Sequence, residues 1–166
     1  CSPRPVDLMV SNACFHWIED HGALLDHLLP QLAAGGTLAF QVPANHDAPS
    51  HVILREICAG KPWRARLGGL PKTGVKNPGW YLDEFRGRGI AASVWQTTYH
   101  HELCGDNAVL AWVKGTTLTP ILERLSDNER EQFLAEYGER LIESYPPDEG
   151  VTVFEFTRTF VLAIRR

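Results

Sequence analysis

The feature that most constrains this chain is its opening rhythm. A short apolar run, Val6-Asp7-Leu8-Met9-Val10, is followed by Leu24, Leu25, Leu28, Leu29 and Leu32, and then by a second apolar run from Thr37 to Val42. The first run reads as a strand buried on both faces of a parallel sheet. Asp20 is placed to cap a helix running to about Ala34, with the leucines along one side. Gly35-Gly36 is suited to stopping that helix, and Thr37 to Val42 reads as a second strand closed by Pro43. Strand, helix and strand in this order predict parallel strands joined by a right-handed crossover. The fold class is therefore α/β.

The rest of the chain extends the same layers. A helix is expected from about Pro49 to Ala59, with Ile53, Leu54 and Ile57 apolar. Residues 60–78 are rich in Gly, Pro and Lys and read as a long excursion of the kind often used for lids or binding loops. Pro78 suits the first turn of a short helix, Gly79 to Arg86, and a third strand is expected over Ile90 to Leu103. Residues 106–147 read as a helical insertion before the last strand: Asp106 opens a segment through Val113, Thr119-Pro120 starts another, and Ser126 with Glu129 has capping-box spacing for a helix to about Ser144. Val151 to Ile164 is the final strand. The chain is expected to form one domain over 1–166.

Composition narrows the function classes. Of 166 residues, 44% are apolar and 22% charged, which are ordinary globular values. A net charge of -4 with scattered signs offers no basic face for nucleic acid. No apolar run reaches the roughly 20 residues of a membrane helix. Cys1, Cys14, Cys58 and Cys104 are widely spaced, which points to reduced thiols in a cytoplasmic protein. The His100-His101 pair has no third ligand at metal spacing, so no metal is expected.

Five segments carry a resemblance. D-L-M-V-S-N-A-C-F-H-W-I (Asp7 to Ile18) is similar to the fourth strand and following turn of class I methyltransferases, closest to the form found in trans-aconitate methyltransferases. L-A-A-G-G-T-L-A-F-Q-V-P-A-N (Leu32 to Asn45), V-W-Q-T-T-Y-H-H (Val94 to His101) and W-V-K-G-T-T-L-T-P (Trp112 to Pro120) follow in family order. The end, S-Y-P-P (Ser144 to Pro147) followed by F-x-F-x-R-x-F (Phe154 to Phe160), is the fifth. The resemblance implies the C-terminal part, strands 4 to 7, of a Rossmann-like sheet of order 3-2-1-4-5-7-6, with S-adenosyl-L-methionine as cofactor. It also implies that the glycine-rich turn and the acidic residue holding the cofactor ribose precede Cys1. As given, the polypeptide is thus expected to bind the cofactor poorly or not at all.

Methylation of a carboxylate needs no general base, because carboxylates with a pKa of roughly 4 are ionised at neutral pH. The protein has to fix geometry, exclude water and hold the substrate's other charges, which calls for donors and cations. Asn12, Ala13, His16 and Trp17 lie just beyond the C-terminal end of the first strand, where open α/β sheets bind ligands. The resemblance puts Asn12 and Ala13 near the cofactor. His16 is a candidate to orient a substrate carboxylate and Trp17 to wall the transfer channel, against a reading of Trp17 as core and His16 as a satisfied turn residue. Gln41, Asn45, His51, Lys114, Thr116 and Arg158 are the candidate substrate contacts. Arg158, inside an apolar strand, points either to solvent or to the cleft. Tyr81, Trp95 and Tyr99 read as core.

The leading expectation is a carboxyl O-methyltransferase acting on trans-aconitate or a similar small polycarboxylate. The alternatives are a non-catalytic binding or assembly module, or a related methyltransferase with another small acceptor. The Val6–Val10 strand, without its neighbour, is expected to present an edge that invites self-association.

Overall fold

The computed structural model describes residues 4–69 and 73–166. Strand β1 (Val6–Asn12) pairs in parallel with β2 (Leu32–Pro43), and helix α1 (His21–Leu28) lies between them in sequence. Asp20 caps α1, its Oδ1 accepting the Ala23 N–H at 2.9 Å. The helix does not reach Ala34. It tightens into a 3-10 turn at Leu29–Gln31, and Leu32 already belongs to β2. Pro30 has no N–H for the carbonyl four residues back, so the leucine pattern outlasts the helix. Gly35-Gly36 instead forms an irregularity in β2, where the pairing jumps from Val6 opposite Leu32 to Leu8 opposite Thr37. Gly35 takes φ +78° there, a conformation open to a residue without Cβ.

Four further elements follow: α2 (Pro49–Ala59), α3 (Arg64–Leu67) inside the excursion, α4 (Pro78–Gly87) and β3 (Ala91–Cys104). Then come α5 (Ala108–Lys114), α6 (Thr119–Leu122), α7 (Asp127–Ser144) and β4 (Val151–Ile164). The sheet order is β1-β2-β4-β3, with β4 antiparallel to β2. This is the order of the last four strands that the resemblance implies. Ser126 and Glu129 form the capping box at the start of α7. At α5 the cap is Asn107, not Asp106: its Oδ1 accepts the Leu110 N–H and its Nδ2 donates to the Gly138 carbonyl at 2.9 Å. A carboxylate has no donor for that second bond.

The chain divides into two compact units. The first comprises Cys1–Ala44, Lys72–Thr98 and Thr157–Arg166. One side of its sheet is packed: Leu38, Phe40, Val161 and Ala163 are buried in a cluster with Leu25 and Leu29, and with Tyr81 and Phe85 of α4. Each buried Leu, Val or Phe among them contributes about 1.5–3 kcal/mol by leaving water. The other side is open. Among the described residues β1 pairs only with β2, and Leu8 and Val10 are 59% and 70% exposed, contrary to the expectation of burial on both faces. Through the register Leu8–Thr37–Ile164 and Val10–Ala39–Leu162, they share that open face with exposed Ile164 and Leu162. Apolar sequence reports affinity for a neighbour and does not supply one.

The second unit comprises Asn45–Pro71 and Tyr99–Phe156, so it contains the whole 106–147 helical segment together with α2 and α3. Its core is Ile53, Leu54, Trp63, Phe133, Tyr137 and Phe154 with their neighbours. The Trp63 indole stands edge-on to Phe133 and donates to Glu136 Oε2 at 2.7 Å. Among the described residues, no helix is long and apolar enough to cross a membrane.

Candidate functional site

In the first unit, the C-terminal ends of β1 and β2 and the middle of β4 carry a chain of polar side chains. The register sets Asn12 opposite Gln41 and Pro43 opposite Arg158. Gln41 is buried in the middle. Its Nε2 donates to Asn12 Oδ1, and its Oε1 accepts from Arg158 Nη1 at 3.1 Å. A buried amide must satisfy both ends, and this one does so with neighbours on both sides. The consequence is directional. Gln41 fixes how the Asn12 amide and the Arg158 guanidinium are presented.

Beyond Asn12 the chain turns sharply. Ala13 takes φ +47° and its N–H donates to the Gln41 carbonyl at 3.1 Å, and a 3-10 turn, Phe15–Trp17, follows. A positive φ at a residue with Cβ is strained and is held only where the surroundings demand it. The His16 and Trp17 rings lie 4.6 Å apart. Trp17 is 66% exposed, so it is no core residue. His16 is half-buried, and its Nδ1 has no hydrogen-bond partner among the described residues. Burial, and then the nearby His21 and Arg158, lower the His16 pKa from its ordinary value, so the imidazole is neutral at pH 7. The same arrangement therefore holds a guanidinium, a carboxamide and a neutral imidazole beside an exposed indole. Such a set suits an anionic, oxygen-rich ligand.

Asn12, Ala13, His16 and Trp17 are thus brought together with Gln41 and Arg158 by the ends of β1 and β2 and the middle of β4. The remaining predicted residues lie in the second unit. Asn45 is buried at the start of that unit, with its carbonyl accepting the Ala48 N–H at 2.9 Å. His51 is half-buried on α2, 3.3 Å from Ser50 Oγ, and desolvation pushes its pKa down to about 4. Ser50 is anchored in turn: its N–H donates to the Tyr145 hydroxyl and its carbonyl accepts from Tyr137. Lys114, the last residue of α5, and Thr116 in the following turn are both exposed.

Two residues of the first unit were not singled out as site components. His21 is 1% exposed and lies behind the turn, its Nε2 3.0 Å from the Phe15 carbonyl and its Nδ1 2.6 Å from the Tyr81 hydroxyl. The signal for them was weak, since a histidine at the start of a helix and a tyrosine sixty residues later have no shared pattern. Of the aromatics read as core, Tyr81 is buried, whereas Trp95 and Tyr99 are exposed.

Comparison with known proteins gives a consistent picture. No family model matches the chain. The chain is 46% identical over 162 residues to the trans-aconitate 2-methyltransferase of Streptomyces avermitilis, covering 96% of this chain and 60% of that protein. Against the proteins of the same name from Mycobacterium tuberculosis and Agrobacterium fabrum, identity is 38% and 37%, covering 64% and 65% of their lengths. The chain thus spans about three-fifths of the length of these relatives. Among solved structures, it superposes on a Bacillus halodurans C-125 protein provisionally named a methyltransferase, with TM-score 0.54 at 12% identity, covering 99% of this chain and 68% of that one. The YcgJ protein of Bacillus subtilis gives the same TM-score and identity over 100% of this chain and 68% of its own. At such identities these two establish the fold alone, a partial Rossmann-like α/β sheet with helices.

Proposed function

We propose, from the premise that this chain belongs to the trans-aconitate 2-methyltransferase family, that its parent protein transfers a methyl group from S-adenosylmethionine to a carboxylate of trans-aconitate or a similar small polycarboxylate. The observation that carries this reading is the Asn12–Gln41–Arg158 chain of side chains beside the Phe15–Trp17 turn.

Arg158 supplies a permanent positive charge for a carboxylate that is not being methylated, and Gln41 holds it in place. His16, neutral at pH 7, offers a hydrogen bond without adding charge. That distinction matters chemically. The attacking carboxylate must stay nucleophilic, and a full cation against its reacting oxygen would lower its reactivity. Trp17 presents an apolar wall at the same turn, suited to excluding water from the reacting atoms. No residue is asked to remove a proton, because the acceptor is already ionised.

The residues present fit one side of a cofactor. Asn12 is exposed at the strand end with its Oδ1 taken by Gln41, so its amide hydrogens are its remaining function, and Ala13 is small enough to admit a ligand close to the backbone. S-adenosylmethionine, when bound, supplies an electrophilic methyl on a sulfonium. Asn12 and Ala13 would lie along it, while His16, Trp17, Gln41 and Arg158 would face the acceptor. Asn45, His51, Lys114 and Thr116 of the second unit are further candidate acceptor contacts.

The deciding assay is methyl transfer from labelled S-adenosylmethionine by the protein at its full gene-encoded length. It should turn over trans-aconitate, with the monomethyl ester identified by mass. Turnover of an amine acceptor in preference to every tested polycarboxylate would overturn the assignment. For residues 1–166 alone, titration calorimetry with S-adenosylhomocysteine should show binding weaker than micromolar.

A further inference from the structure

The Phe15–Trp17 turn buries none of its own residues, yet it carries the two side chains nearest the proposed chemistry. Something else must hold it. The Phe15 ring rests on Phe40 with centroids 5.3 Å apart, and the Phe15 carbonyl is gripped by His21. The direction of that grip follows from the partners. A carbonyl can only accept, so His21 Nε2 carries the proton. Nδ1 is then a bare acceptor, and the Tyr81 hydroxyl must donate to it at 2.6 Å. The Tyr81 oxygen accepts in turn from the Lys76 N–H at 3.4 Å. His21 and Tyr81 are both buried, so each has one satisfiable arrangement and a high cost for any other.

The segment that supplies Tyr81 also holds the other end of the turn. Gly74 lies so close to it that a Cβ would sit 1.9 Å from the Ile18 carbonyl oxygen and 2.6 Å from that of Glu19. Residues 74–81 therefore brace the turn at Phe15 through His21 and at Ile18 by direct backbone contact. Neither anchor involves Gln41 or Arg158.

We propose that His21 and Tyr81 are positioning residues: they set the place of His16 and Trp17, and thereby acceptor recognition, without touching the acceptor. The proposal deepens the methyltransferase reading and rests on it for the role of His16. Five histidines other than His16 and His21 lie in the chain, His27, His46, His51, His100 and His101, so assignment by residue substitution accompanies the measurement below.

The test has two arms, so that the proposal and the functional reading can fail separately. In the ligand-free, full-length protein, histidine-selective carbon-13 NMR reads the His16 ring, whose signals the Trp17 indole 4.6 Å away should displace. His21→Leu is expected to move those signals toward those of a free imidazole, Tyr81→Phe to do so by a smaller amount, and His21→Gln to restore them, because its amide can still reach the Phe15 carbonyl. In steady-state assays His21→Leu should raise KM for the polycarboxylate at least fivefold, with KM for S-adenosylmethionine within twofold and His21→Gln back near wild type. Unmoved His16 signals in folded Tyr81→Phe and His21→Leu, or an equal rise in both KM values, overturns the positioning role. Moved signals in a protein that methylates no polycarboxylate would support the brace and sink the reaction. If His21→Leu does not fold, Tyr81→Phe and His21→Gln decide by the same readouts.

Discussion

Arg158 Nη1 lies 3.1 Å from Gln41 Oε1, so a strand-borne guanidinium is oriented by a buried carboxamide on the neighbouring strand. An oriented guanidinium loses less freedom on binding an anion than a loose surface arginine does. On the proposed function, Arg158→Gln should raise KM for the polycarboxylate about tenfold or more, from roughly 1.5–3 kcal/mol for a charge-assisted hydrogen bond. KM for the methyl donor should change little. Initial-rate kinetics with each substrate varied in turn check this, and a change confined to the donor would remove Arg158 from the acceptor site.

Gly74 should resist any side chain. The Cβ of Gly74→Ala would collide with the Ile18 and Glu19 carbonyls, both backbone atoms that cannot swing aside. Overpacking of this kind costs typically 1–3 kcal/mol. Urea denaturation should show a lower midpoint with little change in slope. An unaltered midpoint would mean that the 18–19 backbone yields freely.

His51 links stability to pH. Its pKa in the folded chain is about 4, against 6.5 when unfolded, because burial penalises the imidazolium. Above pH 6.5 both states are neutral and the residue has no effect. As pH falls from 6.5 to 4 the unfolded chain takes up a proton that the folded chain refuses, so stability drops across that window by up to about 3 kcal/mol. Wild type and His51→Gln, compared by denaturant midpoints between pH 7 and 4.5, should diverge, with the variant flatter. Parallel curves would assign the acid sensitivity elsewhere.

The cysteines should separate by reactivity. Burial pushes the Cys58 thiol up to about 11, so it is almost entirely protonated at pH 7.5, whereas Cys14 and Cys104 are exposed. Iodoacetamide followed by peptide mass mapping should modify Cys14 and Cys104 in the native protein and Cys58 only after denaturation. Early labelling of Cys58 would show that α2 opens readily.

The open edge of β1 makes a further prediction. We propose that residues 1–166 associate with themselves through it, since exposed Leu8 and Val10 lie on a strand with one unpaired side among the described residues. Sedimentation velocity should show concentration-dependent association that Val10→Lys reduces. A wild-type monomer across the accessible range would count against the proposal.

Much of the layer grammar was legible from the residues. Pro49 to Ala59 and Val151 to Ile164 form the elements their apolar spacing predicts, and the Ser126–Glu129 spacing is a capping box. These features are local, set by propensity, capping and turn chemistry within a few residues. The errors lay where one residue overrode a pattern or where a partner was needed. Pro30 ended a helix whose leucines continued, and Asn107 displaced Asp106 as cap because it alone could also donate to Gly138.

For the site, sequence by itself determined which residue types stand at the ends of the first two strands, in the turn after the first and within the last: Asn12, Gln41, His16, Trp17 and Arg158. Tertiary structure decided what they do for one another. The strand pattern left Arg158 pointing either to solvent or to the cleft; in the fold, register against β2 lets its guanidinium donate to Gln41. The grip of His21 on the turn, and of Tyr81 on His21, joins residues sixty positions apart. Hydrogen bonds depend on distance and direction in space, and those quantities exist only once the chain has folded.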